Sequence, residues 1–136
     1  MEEDVKRTSL SAGLAVFALL KGELGNRVTK IYPVVSDENA EMPFVVYRRT
    51  GIRSENVKGS TAFDSSTIEV SVFTKEYGEG VELMERIRAA LEHTTIQCTK
   101  ERDGFDMMVG CTRMTDCEES WDADCYRQDL TIECKI

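Results

Sequence analysis

The sequence lacks the marks of membrane, exported and low-complexity proteins. Its longest strongly apolar stretch, residues 14–20, is far shorter than the roughly 20 residues that a membrane-spanning helix needs. The N-terminus, Met1-Glu2-Glu3-Asp4, is acidic where a signal peptide is basic. With 41% hydrophobic and 31% charged residues, the composition is neither disordered nor collagen-like. We therefore expect one folded domain over residues 1–136, with residues 1–8 as a flexible N-terminus.

The usual signatures of enzymes are also missing. Histidine occurs once, at His93, which falls at the predicted end of a helix, where a cationic or polar side chain complements the helix dipole. There is no G-x-S-x-G elbow, phosphate-binding loop or dinucleotide-binding turn, and Gly78-Glu79-Gly80 lacks the strand and third glycine that such a turn requires. The sequence thus predicts no catalytic residues, no cofactor and no enzymatic activity.

Cysteine, a common zinc ligand, occurs five times. All five cysteines lie in residues 98–136, and an odd count without a secretion signal favours reduced thiols in a cytoplasm. None of them forms the C-x-x-C pair that commonly aims two thiolates at one zinc ion. We interpret them as small buried apolar residues and predict no metal site.

An acidic segment at residues 116–124 has three interpretations. Its alternating oxygen-bearing side chains could hold calcium, but the glycine and the final bidentate glutamate of an EF-hand loop are absent. The second and simplest interpretation is a solvated hairpin tip. The third is a partner contact anchored by Trp121 and flanked by Asp122 and Asp124, since tryptophan is common at interfaces. The Trp121 ring could equally fold back onto the sheet.

Charge is segregated along the chain. Residues 1–60 carry 9 basic and 8 acidic side chains (+1), and residues 61–136 carry 8 and 17 (−9), which together make the net charge of −8. The acidic second half disfavours nucleic acid as a ligand, because phosphate binding needs clustered cations. The first half has a basic cluster: Arg48, Arg49, Arg53 and Lys58.

This basic cluster has two interpretations. In the first, it is ordinary solvated surface. Alternatively, it meets the acidic last third of a neighbouring copy, because opposite patches on one molecule favour head-to-tail contacts that can close into a ring.

The apolar periodicity predicts an α-β-β-β-α-β-β order. Helices are expected from Ser9 to Leu24, with Leu10, Leu14, Phe17, Leu20 and Leu24 recurring at helical spacing, and after the turn at 77–80, with Val81, Met84, Ile87 and Leu91 inward. Strands are expected at 27–35, 44–49, 67–73, 107–115 and 126–136, with a long loop or flexible hairpin at 50–65. The fold class is α+β, an antiparallel sheet of four to five strands with two α-helices on one face.

Five apolar phrases in chain order resemble the tail completion and tail terminator proteins of long-tailed bacteriophages. They are Leu14-x-x-Phe17-x-Leu19-Leu20, Val28-x-x-Ile31-Tyr32-Pro33, Met42-Pro43-Phe44-Val45-Val46-Tyr47, Ile68-Glu69-Val70-Ser71-Val72-Phe73 and the helix at 80–91. The resemblance covers residues 10–136 and carries no catalytic residues. The cysteine-rich C-terminal part and its Trp121-bearing tip depart from the family pattern.

The resemblance implies a structural role in a virion. Members form a ring, typically a hexamer, at the head-proximal end of the tail, so the expected partners are other copies of the chain, the tail-tube protein and head-completion or connector proteins. The expected location is the virion tail, and the host cytoplasm before assembly.

Two other classes of function stay open on the sequence. A non-catalytic ligand-binding or regulatory α+β domain of a cellular bacterium would show a closed apolar pocket with a few convergent polar groups. A small metal-dependent enzyme would carry stoichiometric metal.

Overall fold

The computed structural model describes residues 6–55 and 63–136. It contains a five-stranded sheet, a separate two-stranded sheet and three α-helices. The helices are α1 (Ala12–Leu24), α2 (Tyr77–Leu91) and α3 (Lys100–Asp103). The strands are β1 (Lys30–Pro33), β2 (Phe44–Glu55), β3 (Phe63–Thr74), β4 (Ile96–Cys98), β5 (Met107–Val109), β6 (Cys111–Asp122) and β7 (Cys125–Lys135).

The main sheet is mixed, with the strand order β1-β2-β3-β7-β6. The α+β class is confirmed. The prediction of a purely antiparallel sheet is wrong at one pair, because β1 runs parallel to β2, with Lys30 opposite Phe44. Residues 34–43 carry the chain back to the end of the sheet where β1 began, instead of reversing it in a hairpin. The other three pairs of the sheet are antiparallel.

The helix-covered face of the sheet forms the core. The alternation predicted for β3 is confirmed by Ile68, Val70 and Val72, which are fully buried. The alternation predicted for β7 is confirmed in the same way, because Leu130, Ile132 and Cys134 are inaccessible to solvent. Helices α1 and α2 pack against this buried face of the sheet and form one continuous hydrophobic cluster with it.

Helix α1 follows a 3₁₀ turn at Ser9–Ser11, where the hydroxyl of Thr8 accepts a hydrogen bond from the Leu10 amide, as a cap should. The inner face predicted for α1 is wrong in part, since Leu10 and Leu14 are 64% and 41% exposed. The buried side chains are instead Ala12, Ala15, Val16, Leu20 and Leu24. Because α1 is apolar almost all round, periodicity alone does not select its buried face.

Helix α2 begins earlier than predicted, since the expected turn at 77–80 is its first turn. Met84, Ile87 and Leu91 are buried as predicted, whereas Val81 is only partly buried and Leu83 takes its place in the core. Among the described residues, no helix is both long enough and apolar enough to span a membrane.

A small unit between α2 and β6 was not predicted. Strands β4 and β5 pair antiparallel and α3 connects them, capped by Thr99, whose hydroxyl accepts a hydrogen bond from the Arg102 amide. The single strand predicted at 107–115 is divided at Gly110, whose N–H donates to the Lys135 carbonyl at 2.8 Å. Elements of three or four residues are too short to show a period, so the sequence does not reveal them.

Two long antiparallel strand pairs include the segment predicted as a long loop or flexible hairpin, 50–65, and the segment predicted as an acidic loop, 116–124. Strand β2 continues to Glu55 and β3 begins at Phe63, so the described parts of the 50–65 segment are strand. The acidic segment at 116–124 is mainly β6, and only Ala123 and Asp124 form its turn. Both turn residues have positive φ angles, 47° and 66°, as a type I′ hairpin turn requires.

Candidate interaction surfaces

The two consecutive arginines of the predicted basic cluster lie on opposite faces of β2. Arg48 lies on the helix-free face, where its Nε is 3.3 Å from Oε1 of Glu69. Arg49 lies on the helix-covered face, where its Nη1 donates to the carbonyl of Leu10 at 2.7 Å. Arg49 therefore ties β2 to the turn that precedes α1 and is not part of one surface with Arg48.

A bulge between Arg49 and Gly51 returns Arg53 to the helix-free face. Arg53 is exposed, and Lys58 lies outside the described residues. Of the four predicted cations, the structure thus brings Arg48 and Arg53 together on one face.

The outer backbone edge of β2 is half covered. β1 pairs only with Phe44–Tyr47, and the Val34 amide adds one bond to the Tyr47 carbonyl at 2.7 Å. Beyond this point, no strand in the described part of the chain pairs with the outer side of residues 48–55. This free edge carries the cations described above.

The opposite edge of the sheet is β6, which is acidic. Residues 115–122 are all exposed. The cross-strand register places Asp116, Glu118 and Asp122 on the same helix-free face as Arg48 and Arg53. The two outer edges of one sheet therefore have opposite charge.

An ionic row that the sequence reading missed crosses the helix-free face between these edges. Arg127 donates through Nε to Asp129 at 2.9 Å and lies 3.7 Å from both Glu69 and Asp122. The bond to Asp129 raises the pKa of Arg127 above its ordinary value. Ser71 also donates to Asp129, at 2.5 Å. The outward alternation of β3 and β7 placed these residues on one face but did not show which ones pair.

Trp121 lies on the helix-covered face at the distal end of β6 and is 60% exposed. Its ring packs edge-on against Tyr126 with centroids 5.0 Å apart, and Tyr126 packs in the same manner against Tyr77 at 5.6 Å. The Tyr77 hydroxyl donates to Glu119 at 2.8 Å, which raises the pKa of Tyr77. Trp121 is thus supported on one side and open on the other.

The two acidic residues that flank the tip point elsewhere. Asp122 lies on the helix-free face near Arg127, and Asp124 is exposed in the turn. The predicted set of Trp121, Asp122 and Asp124 is therefore divided between two faces and the turn of one hairpin.

Metal-ligating side chains are dispersed. In residues 6–55 and 63–136, no three of His, Cys, Asp or Glu are grouped so as to hold a metal ion. All five cysteines are free. Cys98, Cys125 and Cys134 are buried, and burial raises the pKa of Cys134 to about 12.

Two concave regions in the described part of the chain are open grooves. The larger, about 920 Å³, lies between α1 and the β4–α3–β5 unit and includes the exposed Leu14. The smaller, about 380 Å³, lies on the helix-free face beside Val34 and Val35, which are 68% and 71% exposed. Neither has the closed form expected of the ligand-binding alternative.

Comparison with known proteins gives one family and one fold. The family described as "Tail completion protein gp17" matches residues 7–129. A chain of the solved structure "Virion of native gene transfer agent (GTA) particle" has a TM-score of 0.67 with 14% sequence identity, and the alignment covers 92% of this chain and 95% of that one. At this identity the likeness shows the fold. No curated protein matches the chain.

Proposed function

Because the chain belongs to the family of the tail completion protein gp17, we propose that its copies close into a ring at the head-proximal end of a phage tail and join the tail to the head. The resemblance predicted from the sequence is confirmed at the family level, and the protein is a structural tail-completion protein of a virion. The ring, its hexameric number and the identity of its neighbours are the proposal.

The observation that carries the ring is the opposite charge of the two sheet edges. A head-to-tail contact uses two different patches of one molecule, and repeated contacts of this kind close into a ring when the rotation between copies allows it. Arg48 and Arg53 supply the positive patch, and the acidic residues of β6 supply the negative one.

The end of the β6–β7 hairpin is the proposed contact for a second kind of virion protein. Trp121 offers an aromatic ring with one open side on the helix-covered face, while Asp122 lies on the opposite face and Asp124 in the turn. Tryptophan and tyrosine are among the most frequent anchor residues of protein interfaces. The expected partner is the tail-tube protein or a head-completion protein.

The ring is tested with the full chain in a concentration series by mass photometry or sedimentation velocity, at low and high salt. Since exposed charge pairs are screened over about 8 Å at physiological ionic strength, the oligomer fraction should fall as salt rises. A protein that stays monomeric at every concentration, with and without tail-tube subunits, would contradict the proposed ring.

The positive patch is tested by Arg53→Glu, which should lower the oligomer fraction. Arg27→Glu is the matched control, because Arg27 is an equally charged, exposed residue in a 3₁₀ turn away from the free edge of β2. An oligomer that is indifferent to salt and to Arg53→Glu would place the contact elsewhere.

A further inference from the structure

We infer that the ring contact is a strand addition: β6 of one copy pairs with the free edge of β2 in the next, so that the sheets run on from copy to copy. The inference rests on the proposed function, because it names the contact that closes the ring. It is argued from the strand order, the exposure of both edges, their charge and their spacing.

The free edge of β2 is long enough to accept a strand. Residues 48–55 extend past the end of β1 and, apart from the bulged Thr50, remain paired to β3 on their inner side. Residues 48–51 and 53–54 are exposed, and Ile52 is half-buried. An edge of this kind presents backbone N–H and C=O groups that another strand can satisfy.

The β6 edge offers the matching strand. β6 is 12 residues long, and Thr112 near its start bonds on the outer side to His93 and Thr94. Within the described structure, no strand other than β7 pairs with residues 113–122. Its acidic side chains disfavour pairing with β6 of another copy, because a β6–β6 pair would place carboxylates opposite one another. A β2–β2 pair would oppose arginines in the same way. The charges therefore favour pairing of the two different edges.

The spacing of the charges agrees across the two edges. Arg48 and Arg53 are opposite Glu69 and Ser65, which are four positions apart on β3, or about 13 Å along a strand. Glu118 and Asp122 are also four positions apart on β6 and occupy the same helix-free face. Both arginines can thus face both carboxylates at once. Because β2, β3, β7 and β6 alternate in direction, β6 of the next copy runs antiparallel to β2 when the helix-free faces of both copies lie on the same side. Arg53 then faces Glu118, and Arg48 faces Asp122.

The existing ion pairs leave charge available for this contact. Arg48 is 53% exposed although it pairs with Glu69, and Asp122 is 55% exposed although it lies near Arg127. Arg53 and Glu118 are exposed as well. The contact would extend the ionic row of one copy into that of the next.

The test is disulfide trapping between two different variants of the full chain. One carries Arg53→Cys, and the other carries Glu118→Cys or Asp122→Cys. Both have Cys111→Ser and Cys117→Ser, which remove the two exposed native thiols. Because each variant carries one half of the pair, only two different copies can form the link. Glu82→Cys, on an exposed position of α2, replaces the β6 variant in the control mixture.

We expect a linked heterodimer on a non-reducing gel, with a yield at least about tenfold above the Glu82→Cys control, because strand pairing raises the local concentration of the two thiols. The link should form with Glu118→Cys, which faces Arg53 in the antiparallel pair, and a link that forms with Asp122→Cys alone would contradict this register. Oligomers that form without either link would overturn the strand addition and leave the ring standing. A protein that is monomeric in every mixture would instead contradict the ring itself.

Discussion

Arg48 and Arg49 are adjacent in the chain, but their guanidinium groups bind on opposite faces of the sheet. Arg48 Nε lies 3.3 Å from Glu69 Oε1, and Arg49 Nη1 lies 2.7 Å from the Leu10 carbonyl oxygen. The first contact belongs to the ionic row on the helix-free face. The second joins β2 to the 3₁₀ turn that leads into α1.

This difference predicts unequal effects of two alanine substitutions. Arg49→Ala should lower the free energy of unfolding by about 1 kcal/mol, since it leaves a carbonyl without its charged donor. Arg48→Ala should cost about 0.5 kcal/mol or less, because exposed ion pairs contribute little. Urea denaturation of both variants measures the difference, and a larger loss for Arg48→Ala would show that the connection to α1 is unimportant.

The edge contact predicts rescue by charge exchange. Arg53→Glu and Glu118→Arg should each lower the oligomer fraction, because each places like charges across the contact. The chain carrying both substitutions should recover it, since opposite charges face each other again. Mass photometry at fixed low salt compares the three. Additive loss in the double variant would show that these two residues do not meet.

Trp121 should contribute little to the stability of the isolated chain. Its ring is 60% exposed and keeps one edge-on contact with Tyr126, which is worth about 0.5–1.5 kcal/mol. Trp121→Ala should therefore cost about 1 kcal/mol. Ile132→Ala on β7 is the control, because Ile132 is fully buried and its truncation should cost about 2–5 kcal/mol. Equal losses in chemical denaturation would show that Trp121 belongs to the core.

The close approach of α2 to the sheet depends on Gly80. A Cβ atom at this position would lie 2.8 Å from Oγ1 of Thr74, a buried side chain whose hydroxyl donates to the Glu76 carbonyl. Gly80→Ala should lower stability by about 1–3 kcal/mol through overpacking. In contrast, Gly22→Ala should raise stability by about 0.5–1 kcal/mol, because Gly22 is helical with no atom within 4 Å of the added carbon. Thermal unfolding measures both variants, and a stability change of the same sign for Gly80→Ala and Gly22→Ala would contradict this packing.

Asp64 should link stability to pH at the start of β3. Hydrogen bonds from Ser9 first, and then Ser54, hold its pKa below the ordinary value of 3.8. A lowered native pKa adds stability that is fully present above the unfolded value and is lost as the pH falls through the native value. Ser9→Ala should raise the pKa of Asp64 toward 3.8 and reduce stability at pH 7, and this loss should disappear in acid.

Carboxyl NMR measures the Asp64 pKa directly, and urea titrations at several pH values follow the stability. Ser11→Ala is the control, since the Ser11 side chain makes no capping hydrogen bond. An Asp64 pKa that is the same in both variants would show that the Ser9 contact is not formed in solution.

The strands with strict alternation were the most predictable part of the fold. In β3 and β7 the apolar rows fill the core because a strand sends successive side chains to opposite faces. Strand pairing was less predictable, since nothing in the order of Lys30–Pro33 and Phe44–Glu55 states that they run parallel. The buried face of α1 was ambiguous because Leu10 and Leu14 compete with Ala12 and Val16 at the same helical spacing.

The candidate interaction residues illustrate a further limit of the sequence. Arg48, Arg49, Arg53 and Lys58 form one cluster by position, but alternation and one bulge distribute the described three over two faces. The ionic row of Arg127, Asp129 and Glu69 depends on contacts between strands that are distant in sequence, with Glu69 and Asp129 sixty positions apart. Pairing of this kind depends on register, which tertiary structure determines.

The two-residue turn at Ala123 and Asp124 fixes the pairing of β6 with β7, so the hairpin can be lengthened only by adding the same number of residues to each strand. Lengthening the hairpin by two residues on each strand would move its end outward by about 7 Å and keep every side chain on its present face. Lengthening it by one residue on each strand would turn the new end over and exchange the surroundings of its side chains. A hairpin of this kind can thus be lengthened without moving any side chain to the other face only when each strand gains an even number of residues.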